Sequence, residues 1–285
     1  MGAPVRIYRG LPASIDTPIA LTIGNFDGVH RGHQAMLSRL VEAAEDLALP
    51  PAVLTFDPPP REFFAKDAAP PRLSSLRTKL ELFAAHGVAR AVVARFDGRL
   101  AALSPEAFID DVLLTKLSMR WLLVGEDFRF GKARAGDLAT LRRAARTFSV
   151  EAMRTVAVDG ERASSTAVRE ALAAGDLERA KALLGRPFTM TGRVAHGAKL
   201  GRSLGFPTAN IKLNRKPPLA GIFAVRVHGL GASACAGVAS IGRYSRCSFP
   251  AVAVSSRPCL ISSQFSSFPS SRAGTSDHTP SRRVP

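Results

Sequence analysis

Short apolar runs alternate with helical spacings over the first two thirds of the chain. The run over 18–26 is apolar and ends in a glycine turn, as a buried strand would. Over 32–48, Ala35, Met36, Leu40, Val41, Ala44 and Leu47 recur at helical spacing. A second strand is predicted over 51–56, a helix over 75–86 and a third strand over 90–96. Ser104-Pro105 is a helix start, with a capping hydroxyl followed by proline at the first helical position. Strands follow at 121–125 and 150–156, with a helix at 136–148 between them. Apolar strands alternating with helices predict an α/β, Rossmann-like fold whose parallel sheet is covered on both faces. In such sheets ligands bind beyond the carboxyl ends of the strands.

The pattern then shifts twice. Two short capped helices are predicted at 166–174 and 177–184, and Gly185-Arg-Pro187 reads as a domain boundary. Glycine-punctuated β-like runs at 188–194, 209–213 and 222–227 predict an incomplete antiparallel β-barrel over 186–242. From 243 to 285 serine, proline and arginine dominate, and no period of two or of 3.6 persists. That tail is predicted to be disordered.

Composition changes this picture little. No run of eighteen apolar residues and no charged-then-apolar leader pattern occurs, so neither a membrane span nor secretion is expected. Cys235, Cys247 and Cys259 have neither zinc-ligand spacing nor a disulfide framework, which fits a reducing, cytoplasmic setting. The net charge of +16 comes mainly from arginines scattered along the chain, without a dense basic cluster interleaved with aromatics. Anionic small substrates fit this distribution better than nucleic acid does.

Three strings carry candidate chemistry. Gly24-Asn-Phe-Asp-Gly-Val-His-Arg-Gly-His33 lies where a strand ends and a helix begins. Its glycines permit a sharp turn, the helix start offers unpaired N–H groups to phosphate, and His30 and His33 stand three residues apart. Ser164-Ser-Thr-Ala-Val-Arg169 supplies hydroxyls at a second helix start and an arginine one turn later. Read alone, it is better taken as an ordinary helix cap. Val124-Gly-Glu-Asp-Phe-Arg-Phe-Gly131 sets Phe128 and Phe130 beside Asp127 and Arg129; read alone, it is better taken as an edge strand with two core phenylalanines.

Together these strings resemble the FMN adenylyltransferase module of the bacterial bifunctional riboflavin kinase/FAD synthetases. The resemblance implies AMP transfer from ATP to FMN, giving FAD and pyrophosphate. It implies catalytic roles for His30, His33 and Arg169, and ATP or phosphate contacts by Gly24, Phe26, Asp27, Gly32, Ser164, Ser165 and Thr166. It implies flavin contacts by Phe56, Asp57, Asp127, Phe128 and Phe130. Thr55-Phe-Asp-Pro58 is a further match, but Pro59 stands where the family commonly has histidine.

Gly192-Arg-Val-Ala-His-Gly197 and Gly201-Arg-Ser-Leu-Gly-Phe-Pro-Thr-Ala-Asn210 resemble the opening of that family's riboflavin kinase domain. Thr208 and Asn210 are thereby implied to hold Mg²⁺ with ATP. The likeness stops abruptly after Gly242, as a shifted reading frame would make it do. The family places a glutamate base on a later strand, whereas Glu178 is the last glutamate here. Impaired kinase activity is therefore expected. Two alternatives stand: transfer to another phosphorylated acceptor, or a flavin- or RNA-binding remnant without turnover.

Overall fold

The computed structural model describes residues 5–195, 208–213, 216–229, 233–242, 251–255 and 262–266. Its first layer system is a six-stranded parallel sheet in the order β1-β4-β3-β2-β5-β6. These strands are β1 (Arg6–Arg9), β2 (Ile19–Ile23), β3 (Pro51–Phe56), β4 (Arg90–Ala94), β5 (Met119–Gly125) and β6 (Ser149–Met153). All five residues of β2 are buried, as expected for a central strand covered on both faces. Its side chains alternate between two cores. Ile19, Leu21 and Ile23 join one with Leu54, Leu113 and Leu122, while Ala20 faces another with Phe26, Leu37, Leu40 and Phe83.

Helix α1 (Arg31–Asp46) covers the second face through Leu37, Leu40, Ala43 and Ala44. The strand order reverses on either side of β2, since β3 and β4 run outward on one flank and β5 and β6 on the other. The chain leaving β2 and the chain leaving β5 therefore diverge at a switch point, where ligand crevices form in open α/β sheets.

The periodicity missed several elements. Edge strand β1 pairs with β4 although its residues are mostly exposed, which leaves no apolar signal to read. Helix α2 (Pro60–Ala65) begins with proline at its first position, inside what reads as a proline loop. Helix α3 (Leu76–Ala85), by contrast, falls within the helix expected over 75–86 and is capped by Ser75, which accepts from Thr78 N. A short helix α4 (Gly98–Ala102) precedes α5 (Pro105–Ala107), which continues as a π-helical run over Phe108–Lys116. After α6 (Leu138–Ala144) and β6, a small hairpin of β7 (Ala157–Val158) and β8 (Glu161–Arg162) leads to α7 (Ser165–Ala173).

Helix α7 starts at Ser164, which caps Ala167 N at 3.1 Å, and α8 (Leu177–Leu184) ends on Gly185 in the left-handed conformation at φ +70°. Their inner faces do not join the parallel-sheet cores. Val168, Ala171, Leu172, Leu183 and Leu184 share one apolar cluster with Phe188 and with Ile211, Val225, Val227 and Ile241 of the second sheet. The boundary expected at 185 is thus crossed by a common core.

That second sheet has seven strands in the order β10-β11-β14-β13-β12-β15-β9. They are β9 (Thr189–Thr191), β10 (Arg193–Ala195), β11 (Thr208–Lys212), β12 (Gly221–His228), β13 (Cys235–Gly242), β14 (Ala251–Ser255) and β15 (Ser262–Ser266), all antiparallel where they pair. Its two outermost strands, β9 and β10, are separated in the chain only by Gly192. The sheet must therefore curl until its edges meet, as in a small barrel. Strands β14 and β15 correct the expectation of a tail without regular structure from 243. Each is five residues long in a serine-rich setting, too short to leave a periodic signal. The rest of 243–285, with Cys247 and Cys259, lies outside the described residues. Among the described residues, Cys235 is a free thiol, and no helix is long and apolar enough to cross a membrane.

Candidate active site

The turn from β2 into α1 is built against the grain of the backbone. Phe26 at φ +49°, Gly28 at +81° and Val29 at +43° all occupy the left-handed region. For a β-branched residue such as Val29 this costs energy, and such strain persists only where surrounding bonds hold it. Those bonds come from three directions. Ser74 accepts from Gly28 N at 3.0 Å, Ser165 donates to the Asp27 carbonyl at 2.9 Å, and Gln34 donates to the Val29 carbonyl at 2.9 Å. At Gly28 a Cβ would lie 2.9 Å from Leu73, so glycine is required there for space as well as for conformation.

This turn delivers both histidines. His30 is the extended residue before α1 and makes no side-chain cap bond, so the first N–H groups of the helix are not consumed by a cap. Its ring stacks on His33 with centroids 3.7 Å apart, and His33 in turn packs on Phe26 at 4.9 Å. Burial, then the charges of Arg162, Arg169 and Arg186, lowers the His30 pKa to about 4. Burial, His30 and Lys79 likewise hold His33 well below the ordinary histidine range. Both rings are neutral near pH 7, and each can donate one N–H.

Asp27 and Arg169 form the second half. The Asp27 carboxylate accepts from Leu73 N at 3.0 Å and Ser74 N at 3.1 Å, and pairs with Arg169 Nη2. Arg169 also donates to the Pro71 carbonyl at 2.7 Å and the Ser165 carbonyl at 3.0 Å. The sequence reading expected Asp27 to contact phosphate. Its oxygens are instead occupied by backbone N–H groups and a guanidinium, and a carboxylate would repel phosphate. Asp27 holds Arg169 in place.

A cavity of about 550 Å³ opens over these groups. It is lined by His33, Asn25, Asp27 and Arg169, by Ser164, Ser165 and Thr166 at the start of α7, and by Asp127 across the switch point. His30 lies directly behind His33. Phe26 and Gly32 serve the backbone, Phe26 being fully buried and Gly32 packed against the Ala163 carbonyl and the His30 ring. At Gly24 a Cβ would sit 3.1 Å from the Phe26 ring.

Several cations escaped the sequence reading because no motif marks them. Arg61, Arg72 and Arg162 also line the cavity. Arg72 pairs with Glu62 through two bonds and with Asp57 at 3.0 Å, and Arg162 pairs with Asp127. Lys79 is buried on α3 and donates to the Asn25 carbonyl at 2.6 Å; burial pushes its pKa down to about 8. A lysine amid the apolar positions of a helix reads as surface from sequence alone.

The expected flavin residues divide. Phe56 joins Phe63, Phe64 and Phe96 in an aromatic cluster with centroids 5.1–5.7 Å apart, and Phe64 is 68% exposed. Phe128 is half-buried and stacks on Phe130 at 5.6 Å. Phe130 itself is a core residue, tilted against Phe108, and its ring leaves no room for a Cβ at Gly136. Of these two rings only that of Phe128 retains accessible surface for stacking. Thr208 and Asn210 lie on β11 in the other sheet, away from this cavity. Among the described residues no group of three or more His, Cys, Asp or Glu side chains could cage a metal ion. The carboxylates lining the cavity are each paired with an arginine. These residues do not form a protein cage for Mg²⁺. The ion fits here only as part of a magnesium–nucleotide substrate, held chiefly by phosphate and water.

Comparison with known proteins agrees with both halves of this architecture. Residues 13–167 match the FAD synthetase family, and residues 184–253 match the riboflavin kinase family. The second match runs past Gly242, where the sequence likeness was expected to end. The chain is 47% identical over 244 residues to the bifunctional riboflavin kinase/FMN adenylyltransferase of Escherichia coli K12, covering 84% of this chain and 78% of that protein. It is 50% identical over 224 residues to the protein of the same name from Pseudomonas fluorescens, covering 78% and 71%. A solved structure described as a macrolide-efflux protein from Streptococcus pneumoniae superposes with a TM-score of 0.78 at 22% identity, over 93% of this chain and 94% of that one. That likeness is one of fold. The chain belongs to the family of bacterial bifunctional riboflavin kinase/FMN adenylyltransferases.

Proposed function

We propose that this member of the family makes FAD, transferring AMP from magnesium-bound ATP to FMN in the cavity between the β2 turn and the start of α7. The observation that carries the reading is the convergence of the start of α7, of His33 backed by the stacked His30 ring, and of four arginines on one cavity at the switch point of the sheet. An FMN phosphate oxygen attacks the α-phosphorus, a new P–O bond forms, and the bond to the β-phosphate oxygen breaks to release pyrophosphate. The attacking oxygen is already anionic, so no protein base is needed. The protein's contribution is position and charge.

In this reading His30 and His33 donate to phosphate oxygens, and Ser164, Ser165 and Thr166 hold the triphosphate with the free N–H groups of α7. Arg169, fixed by Asp27, stabilises charge that develops on the phosphates. Phe128 and the aromatic cluster around Phe56 take the flavin ring. Residues 1–185 hold the reacting groups of this step, and 186–242 belong to the kinase module.

The test is direct. The purified chain, incubated with FMN, ATP and Mg²⁺, should yield FAD by chromatography. No FAD above a doubly substituted His30→Ala, His33→Ala control would sink the proposal. FAD synthesis only with another phosphorylated acceptor in place would move it elsewhere within the same reaction class.

We further propose that conversion of riboflavin to FMN is weak in this chain. The supporting observation is that no glutamate follows Glu178, so the strand glutamate expected as base is not supplied. Riboflavin with ATP and Mg²⁺ should give little FMN under conditions in which supplied FMN is converted efficiently. Comparable rates for the two steps would refute this.

A further inference from the structure

The strained turn that delivers His30 is also held from the chain that leads into the second sheet. Arg186 lies just beyond the left-handed cap of α8, on the way into β9. Its Nη1 donates to the carbonyls of Val29 and Leu184, each at 3.1 Å, and its Nη2 donates to the carbonyl of Gly28. Gln34 from α1 reaches the same Val29 and Leu184 carbonyls, at 2.9 and 2.7 Å. Gly185 completes the joint, since a Cβ there would lie 2.5 Å from Arg31 Nε. The C-terminal end of α8 and the turn before α1 thus share two donors, one of them a guanidinium.

The carbonyls of Gly28 and Val29 belong to the two consecutive left-handed residues immediately before His30. Left-handed backbone at a valine relaxes unless something holds it. A planar guanidinium presents several donors in a fixed fork and can span three carbonyls at once, which a lysine ammonium on a flexible stem cannot match. We infer that Arg186 is a positioning residue for AMP transfer: by bracing the Gly28–Val29 turn it fixes where His30 stands at the start of α1. This inference rests on the adenylyl-transfer reading. Its consequence is that the chain leading into the second sheet is a working part of the first site. The Arg186 charge is also among those that keep His30 neutral, so removing it frees His30 to take up a proton at higher pH.

The test uses the full chain. Arg186→Met should lower kcat for FAD formation roughly 10- to 100-fold, because small misplacements of a reacting group cost rate steeply. The KM for FMN, whose proposed ring contacts share no bond with Arg186, should move less than about twofold. The His30 titration followed by NMR should shift to higher pH. Arg186→Lys should recover only part of kcat. Arg179→Met on α8, which breaks a half-buried pair with Glu161 of β8, is the stability control and should leave kcat unchanged. If Arg186→Met does not fold, Arg186→Lys carries the test, and wild-type kcat in that variant overturns the inference. A folded Arg186→Met with wild-type kcat and an unmoved His30 titration overturns it equally. If the wild-type chain makes no FAD, the adenylyl-transfer reading falls first and takes this inference with it.

Discussion

Two loops leave the same edge of the parallel sheet on either side of its switch point, and they are built on opposite plans. The turn after β2 is buried, left-handed at three residues, and bonded by Ser74, Ser165, Gln34 and Arg186. The loop after β5 begins with Glu126 and Asp127 in solvent, and its charged contact to the rest of the site is the exposed Asp127–Arg162 pair. Its fixed part is the Phe130 end, seated on Phe108 and Gly136. The proposed direct transfer, without a covalent enzyme intermediate, places its demand for accuracy on the phosphates and far less on the acceptor's ring. The contrast suits that division, with a rigid half for the nucleotide and a looser half for what is added to it.

The sharpest way to break the comparison is at the rigid half. His30→Ala should reduce kcat/KM for FAD formation by about 10³-fold, the range lost with a positioned donor to developing charge. His33→Ala should follow it closely, because the two rings are stacked. Steady-state rates on protein with a cooperative melt decide this. A loss below tenfold in both variants would mean that the histidines are packing rather than chemistry.

The rigid half should also betray itself in stability. The His30 pKa is about 4 in the folded chain against 6.5 unfolded, so the unfolded state takes up the proton first as pH falls. Stability is therefore full above about pH 6.5 and is lost on the way toward pH 4. Between pH 7 and 5 this amounts to about 2 kcal/mol from His30. His33 shifts in the same direction and adds to it. Urea midpoints of the apo protein at the two pH values measure the loss, and His30→Asn should remove about that share of it. An identical pH dependence in the variant would show that the ring is not held neutral by its surroundings.

How far this contrast could be read in advance follows from its chemistry. Glycines and histidines at fixed spacing are visible in a string, so the β2 turn and the start of α7 were located correctly from residues alone. The parallel sheet was legible too, since strands buried on both faces read as unbroken apolar runs. The scaffolding was not. Arg72, Lys79 and Arg186 act through backbone carbonyls or carboxylates that are distant in the chain, and nothing in their neighbours announces that. The partners of Asp27 were hidden for the same reason, because a motif names the residue type without naming the partner. Phe130 looked equivalent to Phe128 until Gly136 placed one ring in the core.

The looser half should respond to substitution in binding rather than in rate. Phe128→Ala removes a half-buried ring that stacks on Phe130 at 5.6 Å. It should raise the KM for FMN about tenfold, in keeping with the roughly 1 kcal/mol that an aromatic contact adds beyond its buried area. The KM for ATP should stay within about twofold. Phe130→Leu should instead lower the melting temperature and leave FMN affinity nearly intact, as expected of a core position. If the two substitutions exchange phenotypes, the assignment of the rings is reversed.

The smallest effect is the most discriminating. Asp127 and Arg162 are both more than half exposed, so their pair adds little to stability, on the order of 0–1 kcal/mol, and Asp127→Asn should barely move the melt. Its effect on function depends on what the carboxylate is for. If Asp127 chiefly occupies Arg162, removing the charge releases that guanidinium to the incoming phosphates. The KM for ATP then falls by about two- to threefold at low ionic strength, and the gain fades as salt screens the site. If Asp127 instead contacts the flavin, ATP is unaffected and the KM for FMN rises. Titrating both substrates at two salt concentrations separates these outcomes. The geometry favours the first, because the Asp127 carboxylate is already bonded to Arg162, which borders the same cavity as Ser165, Thr166 and Arg169. On that outcome the exposed loop after β5 tunes nucleotide affinity by lending and withdrawing one arginine, while the buried turn after β2 stays held by its own bonds.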